Sequence, residues 1–249
     1  NGFRVGFEGA QDWDLLKRVV ASIADEQVVH IPMILYHWRM ASGSTAGGIS
    51  QKPYVTAAQK NVLHEHFKRN KIEAKIEQLD NMNWKITYPP EIIDTLVSII
   101  IPTRNQIELL QKCVSSILDR PQKVSYELVI VDNDSDEEVA LDFLKRIQTE
   151  NERVRVLSYP GKFNFSAINN FAAEQANGDV FMFLNNDVEV ITGDWLELLL
   201  GYAQQENSGA VGCMLYYPDK YIQHAGIILG IGGVAANIYQ GTYQGYSGQ

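Results

Sequence analysis

The chain has 249 residues, 45% hydrophobic and 20% charged, which suits a globular protein with a substantial core in one large domain or two smaller ones. A net charge of −9 argues against a phosphate-backbone binder, which needs a basic stripe, so no nucleic-acid partner is expected. The two cysteines, Cys113 and Cys213, imply neither a disulfide framework nor a zinc cluster and fit a reducing cytoplasm.

Residues 1–50 open with a glycine-spaced run from Gly2 to Asp12. Trp13, Leu15, Leu16, Val19, Val20 and Ile23 then recur at helical spacing, with Asp12 as N-cap or first-turn acid. Val28 to Leu35 reads as a short strand interrupted by Pro32, and a Ser, Gly and Thr-rich loop covers 42–50. About fifty residues cannot bury a core alone, so this segment is expected to pack on something else. Because the chain begins on Asn1, within dense sequence, it is expected to be a piece of a longer protein.

Residues 51–95 read as a connector. Lys52 to Asn70 forms a helix with Val55, Ala58, Val62 and Phe67 on one stripe. His64 and His66, two positions apart, diverge on that helix and read as surface residues. Ile72 to Ile76 and Trp84 to Tyr88 alternate like a small hairpin that Pro89-Pro90 ends.

Residues 96–249 repeat a strand–helix rhythm, which predicts a mostly parallel α/β sheet. Strands are expected at Leu96–Ile101, Tyr126–Val131 and Val154–Leu157, and again at Ala210–Tyr217 and Ala225–Leu229. Asn105 with Glu108 suggests a capping box opening a helix to Leu118, and helices follow near Ala140–Ile147, Ser166–Ala176 and Trp195–Gln204. The organising stretch is Val180–Val190. Its apolar half has the pattern of a strand buried on both faces, and it breaks at Asn185-Asn186-Asp187. The longest apolar run, Ala225–Ala236, is glycine-rich and too short to span a membrane.

Three strands end in polar clusters: Pro102-Thr103-Arg104-Asn105, Asp132-Asn133-Asp134-Ser135 and Asn185-Asn186-Asp187. A parallel sheet puts all three ends on one edge, where open α/β sheets bind ligands, and a capped helix start beside them favours anions. The combination predicts a nucleotide site. A dinucleotide fingerprint at Gly230–Ala235 is rejected because no capped helix follows it, and the calcium-like run from Asp132 is rejected because it has Glu137 where glycine is needed.

With these residues in hand, Leu96 to about Gln240 resembles the nucleotide-binding half of a family 2 glycosyltransferase with the GT-A fold. The motifs are Val97–Asn105, Val129–Ser135, Phe163–Asn170, Leu184–Asp187 and Ile222–Gly230. They are most similar to rhamnosyltransferase-like enzymes that build bacterial surface polysaccharides. The resemblance implies that Asp132 accepts the base N–H and that Pro102, Thr103 and Arg104 line the base and ribose. The implied nucleotide site also takes in Asn105, Asn133, Asn164, Ser166, Asn169 and Asn186. Asp187 is implied to hold a divalent cation, Mg²⁺ or Mn²⁺, with Asn185 and His224 as further ligands. Asn185 departs from the family's usual Asp, which puts metal dependence in question, and Ile168 stands where the family's Arg is expected.

The front segment resembles the opposite end of such a domain, through Gly6–Leu15, His30-Ile31-Pro32 and Leu35–Arg39. There Asp12 matches the carboxylate that serves as general base. The order implies the end of one transferase domain (1–50), a connector (51–95) and the start of a second (96–249), whose own carboxylate would lie beyond Gln249. Another arrangement packs 1–50 onto 96–249 in one chain or between two, leaving a homodimer open. The expected function is inverting sugar transfer from a UDP- or dTDP-linked donor to a glycan acceptor, in the cytoplasm or at the inner face of the membrane. The rival readings are a nucleotide-binding module without turnover and a purely structural α/β module.

Overall fold

The computed structural model describes residues 2–37, 53–79, 83–230 and 233–245. The chain divides between Tyr88 and Pro89 into two compact units. Trp38, Arg39 and the loop 42–50 lie outside the described residues.

The first unit holds helices α1 (Gln11–Val20) and α2 (Pro53–Asn70) and the antiparallel pair β1 (Lys75–Gln78) and β2 (Trp84–Thr87). The α2 stripe is as the spacing predicts, since Val55, Ala58, Val62 and Phe67 are all buried. Ala10, Ala58 and Val62 form a small core with Phe7 against it, so the opening segment packs on the connector helix. Gly9 makes this approach possible: it has φ +84°, and a Cβ there would lie 2.6 Å from Val55 Cγ2. His64 is exposed, and the half-buried His66 lies with Nδ1 3.2 Å from Asn70 Nδ2. Burial, with Lys17 and Arg69 nearby, holds the His66 pKa below its ordinary value.

Two expectations fail in this unit. Val28 to Leu35 is irregular rather than a strand and stays exposed, because among the described residues no neighbouring strand takes its backbone groups. The apolar stripe of α1 is also largely open, with Leu16 and Val20 more than half exposed within a unit whose own core is small. The buried α1 residue is Asp14, 1% exposed, held by Arg4 and Arg18. Arg4, then Arg18, keep its carboxyl below the usual range against the opposing effect of burial.

The second unit is built on a four-stranded parallel sheet in the order β5-β4-β3-β6. Its strands are β3 (Leu96–Thr103), β4 (Ser125–Asp132), β5 (Val154–Ser158) and β6 (Val180–Phe183). The connecting helices are α3 (Ile107–Leu118), α4 (Glu138–Glu150) and α5 (Phe165–Gln175), and α6 (Trp195–Ala203) follows β6. This is the α/β architecture expected of a GT-A domain. Ile99, Ile101, Leu128 and Ile130 face one core with Leu110, Val114, Ile117, Phe143, Leu144, Leu196 and Leu200. Ile100, Val129 and Val131 face the other, against Ile168 and Ala172 of α5. Ile99–Ile101 and Leu128–Val131 thus read as apolar runs because both faces of the central strands are covered.

β6 differs from expectation. It is a four-residue edge strand, and Phe181 and Phe183 on its outer face are 44% and 53% exposed. The late strands also leave the parallel sheet. β7 (Leu215–Tyr216) pairs with β8 (Ile222–His224), and β9 (Ile227–Leu229) with β10 (Ala235–Asn237), both antiparallel.

The amino-terminal edge of the sheet is closed by a polar knot. Glu127, 7% exposed, accepts from Ser98 Oγ (2.7 Å), the Asn177 N–H (2.6 Å), Asn177 Nδ2 (2.9 Å) and Arg155 Nη1 (3.0 Å). Burial opposes the Glu127 charge, but these donors outweigh it and hold the carboxyl below its ordinary range. Gly178 seals the knot, its N–H 2.9 Å from Ser98 Oγ.

Candidate functional site: a crevice at the carboxyl edge

The strand order places β3 at the point where the winding reverses, with β4 on one side and β6 on the other. In open parallel sheets that point leaves a crevice beyond the strands' carboxyl ends. A cavity of about 170 Å³ lies there, lined by Pro102, Thr103 and Arg104 from the end of β3, Asn133 after β4, and Asn185 and Asn186 after β6. Phe163, Phe165 and Ile168, at and just before the start of α5, complete the wall.

Backbone register brings the strand ends together. Thr103 and Asp132 are direct partners in the β3–β4 ladder, and the Asn133 N–H donates to Thr103 O at 2.9 Å. The Leu184 N–H donates to Ile100 O at 2.9 Å, continuing β6 alongside β3. Asn186 Nδ2 then donates to Thr103 Oγ1 at 3.1 Å, tying the two sides of the crevice. Asp187 follows, exposed.

Asn133 is 1% exposed. Its Nδ2 donates to Tyr159 O (3.0 Å) and Gly161 O (2.9 Å), which fixes the amide orientation. Asn133 Oδ1 is left buried and finds no partner among the described residues. Asp132, by contrast, accepts the Ser135 N–H on Oδ1 at 3.1 Å and is not part of the cavity wall.

A family description, Glycosyl transferase family 2, matches residues 98–226, just over half of the chain. The chain belongs to glycosyl transferase family 2. Among similar proteins, the uncharacterized protein y4gI of Sinorhizobium fredii is 42% identical over 249 residues, covering 98% of this chain and 27% of that protein. The O-antigen biosynthesis protein RfbC of Myxococcus xanthus is 36% identical over 236 residues, covering 95% of this chain and 18% of that one. The family 2 chain thus spans about a quarter or less of the length of these relatives. A solved mannosyltransferase from Pyrobaculum calidifontis, in complex with GDP-Man and Mn²⁺, aligns at 20% identity and TM-score 0.45, over 66% of this chain and 45% of that chain.

Several of the residues expected in the site make hydrogen bonds within the fold. Asn105, at φ +52°, does not cap α3, whose N-cap is Gln106 and has no side-chain cap bond. Its side chain reaches across the turn to the start of α4, where Oδ1 accepts the Asp136 and Glu137 N–H groups and Nδ2 donates to Asp136 Oδ1 at 2.7 Å. Asn164 is the N-cap of α5, accepting the Ala167 N–H at 3.0 Å. Ser166 is exposed in the first turn of α5. Asn169 is buried, with Nδ2 donating to Phe165 O at 2.8 Å, so it braces the turn carrying the aromatic wall.

His224 sits on β8, with Nδ1 2.9 Å from Asn237 Oδ1, and is not part of the cavity wall. Among the described residues, no group of three or more His, Cys, Asp and Glu is placed to hold a metal. Asp12 belongs to the first unit. It is exposed in the first turn of α1, whose N-cap is Ala10, and its Oδ1 lies 2.9 Å from the Trp13 N–H.

The sequence alone does not single out the aromatic wall. Phe163 and Phe165 lie within the Phe163–Asn170 motif, and their signal is a pair of large apolar residues flanking the helix cap Asn164. They are 67% and 49% exposed. Among the described residues, no helix is long and apolar enough to cross a membrane.

Proposed function

We propose that the crevice binds the nucleotide of a sugar–nucleotide diphosphate and that the parent enzyme transfers the sugar, with inversion, to a surface-polysaccharide glycan. The observation that carries this reading is the single cavity wall to which β3, the β4 exit and the β6 exit all contribute polar groups, at the reversal point of the sheet. UDP and dTDP are the nucleotides to test. The O-antigen role in the name of the Myxococcus relative supports a polysaccharide acceptor.

In this reading the base lies between the Phe163–Phe165 wall and Arg104, and a base or ribose donor satisfies Asn133 Oδ1. The diphosphate runs toward Asn185–Asp187. A divalent cation fits there as a shared ligand: Mg²⁺ and Mn²⁺ take oxygen donors, and Mg²⁺ is often held by one or two carboxylates together with substrate phosphates. Asp187 supplies the carboxylate and Asn185 an amide oxygen. When bound, the cation offsets charge on the departing diphosphate. Thr103 and Asn186 hold the two crevice walls in register, and Asp132 orders its turn through Ser135.

Asp12 is the candidate general base of the first unit, since an exposed carboxylate on a first helical turn can take a proton from an acceptor hydroxyl. We assign the activity to the cytoplasm from cysteine usage. Donor turnover tests the enzyme reading. Release of UDP or dTDP from a sugar nucleotide by the 249-residue chain supports it, whereas nucleotide binding with no release supports a binding module. Absence of both leaves a structural α/β unit.

A further inference from the structure

The segment that leaves β6 is fastened to α3 at both ends. Cys113 and Ser116 lie three residues apart on α3, hence on one helical face. Cys113 Sγ donates to Asn185 O at 3.6 Å. Ser116 Oγ accepts the Val190 N–H at 3.0 Å and donates to Cys113 O at 2.7 Å. Asn185, Asn186 and Asp187 therefore span a gap between two fixed points on one helix. Neither Cys113 nor Ser116 is part of the cavity wall.

Cys113 is a buried free cysteine, a small core residue that also carries a weak S–H donor. It is 0% exposed among Leu110, Val114 and Ile117, where an aliphatic side chain would bury more apolar area. What sulfur adds is a donor for the Asn185 carbonyl, which the edge strand leaves open.

We propose that Cys113 and Ser116 are positioning residues for the cation–diphosphate loop, setting the spacing at which Asn185 and Asp187 meet a divalent cation. The inference rests on the assignment of that loop in the preceding section. Neither residue touches substrate. Both act through the backbone of Asn185–Val190, so their loss widens the spread of loop conformations and weakens the cation-dependent part of nucleotide binding. The cation-independent part, which depends on Thr103, Asn133 and the aromatic wall, is untouched.

The test is calorimetric titration of the 249-residue chain with UDP and dTDP, with and without Mn²⁺, read as the factor by which Mn²⁺ tightens binding of the better nucleotide. Asp187→Ala checks the loop assignment and should abolish that factor. Ser116→Ala and Cys113→Val should each cut it about fivefold, the loss of one net hydrogen bond, with affinity in the absence of Mn²⁺ unchanged. Cys113→Ser, which keeps a donor, should stay within about twofold of the parent, although Val is the better core filler and should unfold at the higher temperature. If Cys113→Val matches or exceeds Cys113→Ser in the Mn²⁺ factor, Cys113 is a packing residue and the inference is overturned. It is also overturned if Ser116→Ala and Cys113→Val keep the parent's factor while Asp187→Ala loses it, and then the loop assignment stands. A parent with no Mn²⁺ factor, or an Asp187→Ala variant that retains one, removes the loop assignment and the inference with it.

Discussion

Asn186 Nδ2 donates to Thr103 Oγ1 at 3.1 Å across 83 positions of sequence, and this bond joins the two strand exits that flank the crevice. Thr103 is 6% exposed, so its hydroxyl is held in a largely dry wall. Thr103→Val keeps the shape and removes the acceptor. It should weaken nucleotide binding about fivefold, a net hydrogen bond's worth of about 1 kcal/mol, while the Tm changes little. Titration with UDP and dTDP reads the first quantity and thermal unfolding the second. An unchanged affinity would show that the bond is ornamental to the site.

Asn105 gives the opposite pattern. Because its side chain serves the start of α4, Asn105→Ala should cost about 1 kcal/mol of stability, as loss of a helix cap does. Nucleotide affinity should remain within about twofold of the parent. A large affinity loss with unchanged stability would return Asn105 to the binding site.

The two asparagines show what the sequence can and cannot disclose. That three polar strand ends share one edge follows from parallel pairing, which the apolar runs of β3 and β4 announce directly. Which member of each cluster faces the crevice does not follow, because a side chain in a turn chooses among partners far away in sequence. Asn105 finds residues 136 and 137, and Asn133 finds the carbonyls of 159 and 161. The same limit governs α1. Asp12 and Asp14 carry the same chemistry two positions apart, and it is Asp14 that is buried, held by Arg4 and Arg18. β6 misleads for a different reason: Phe181 and Phe183 have the composition of a covered strand but stand at the sheet's edge, and composition does not encode strand order. Val28–Leu35 reads as a strand on local propensity, which carries little weight without a pairing neighbour.

The Glu127 knot makes stability acid-sensitive. A carboxyl whose folded pKa is depressed contributes stability that is fully present above its unfolded value, about 4.3, and is lost as pH falls through the lower folded value. Tm should therefore decline below about pH 4.3, and Glu127→Gln should flatten that decline while lowering Tm at neutral pH. Thermal unfolding from pH 3 to pH 7 (roughly the span set by the carboxyl range) measures both. Identical pH profiles for the two proteins would rule out Glu127 as a source.

Gly178 is irreplaceable on steric grounds. A Cβ there would lie 2.5 Å from Ser98 Oγ, 2.6 Å from Leu96 O and 2.7 Å from the Ser98 nitrogen, and two of those three are backbone. Gly178→Ala should destabilise by about 1–3 kcal/mol through displacement of β3. Denaturant unfolding checks it, and a variant as stable as the parent would mean that the sheet edge yields without cost.

The central claim is that the crevice beyond β3 and β6 holds a sugar nucleotide's diphosphate-linked base. Calorimetric titration of the 249-residue chain with UDP and dTDP, with and without Mn²⁺, tests it most directly. The account predicts saturable binding of at least one of them at one site per chain, tightened by Mn²⁺ and weakened by Thr103→Val. No saturable heat from either nucleotide at millimolar concentration (roughly the weakest affinity such a site would show) would contradict it.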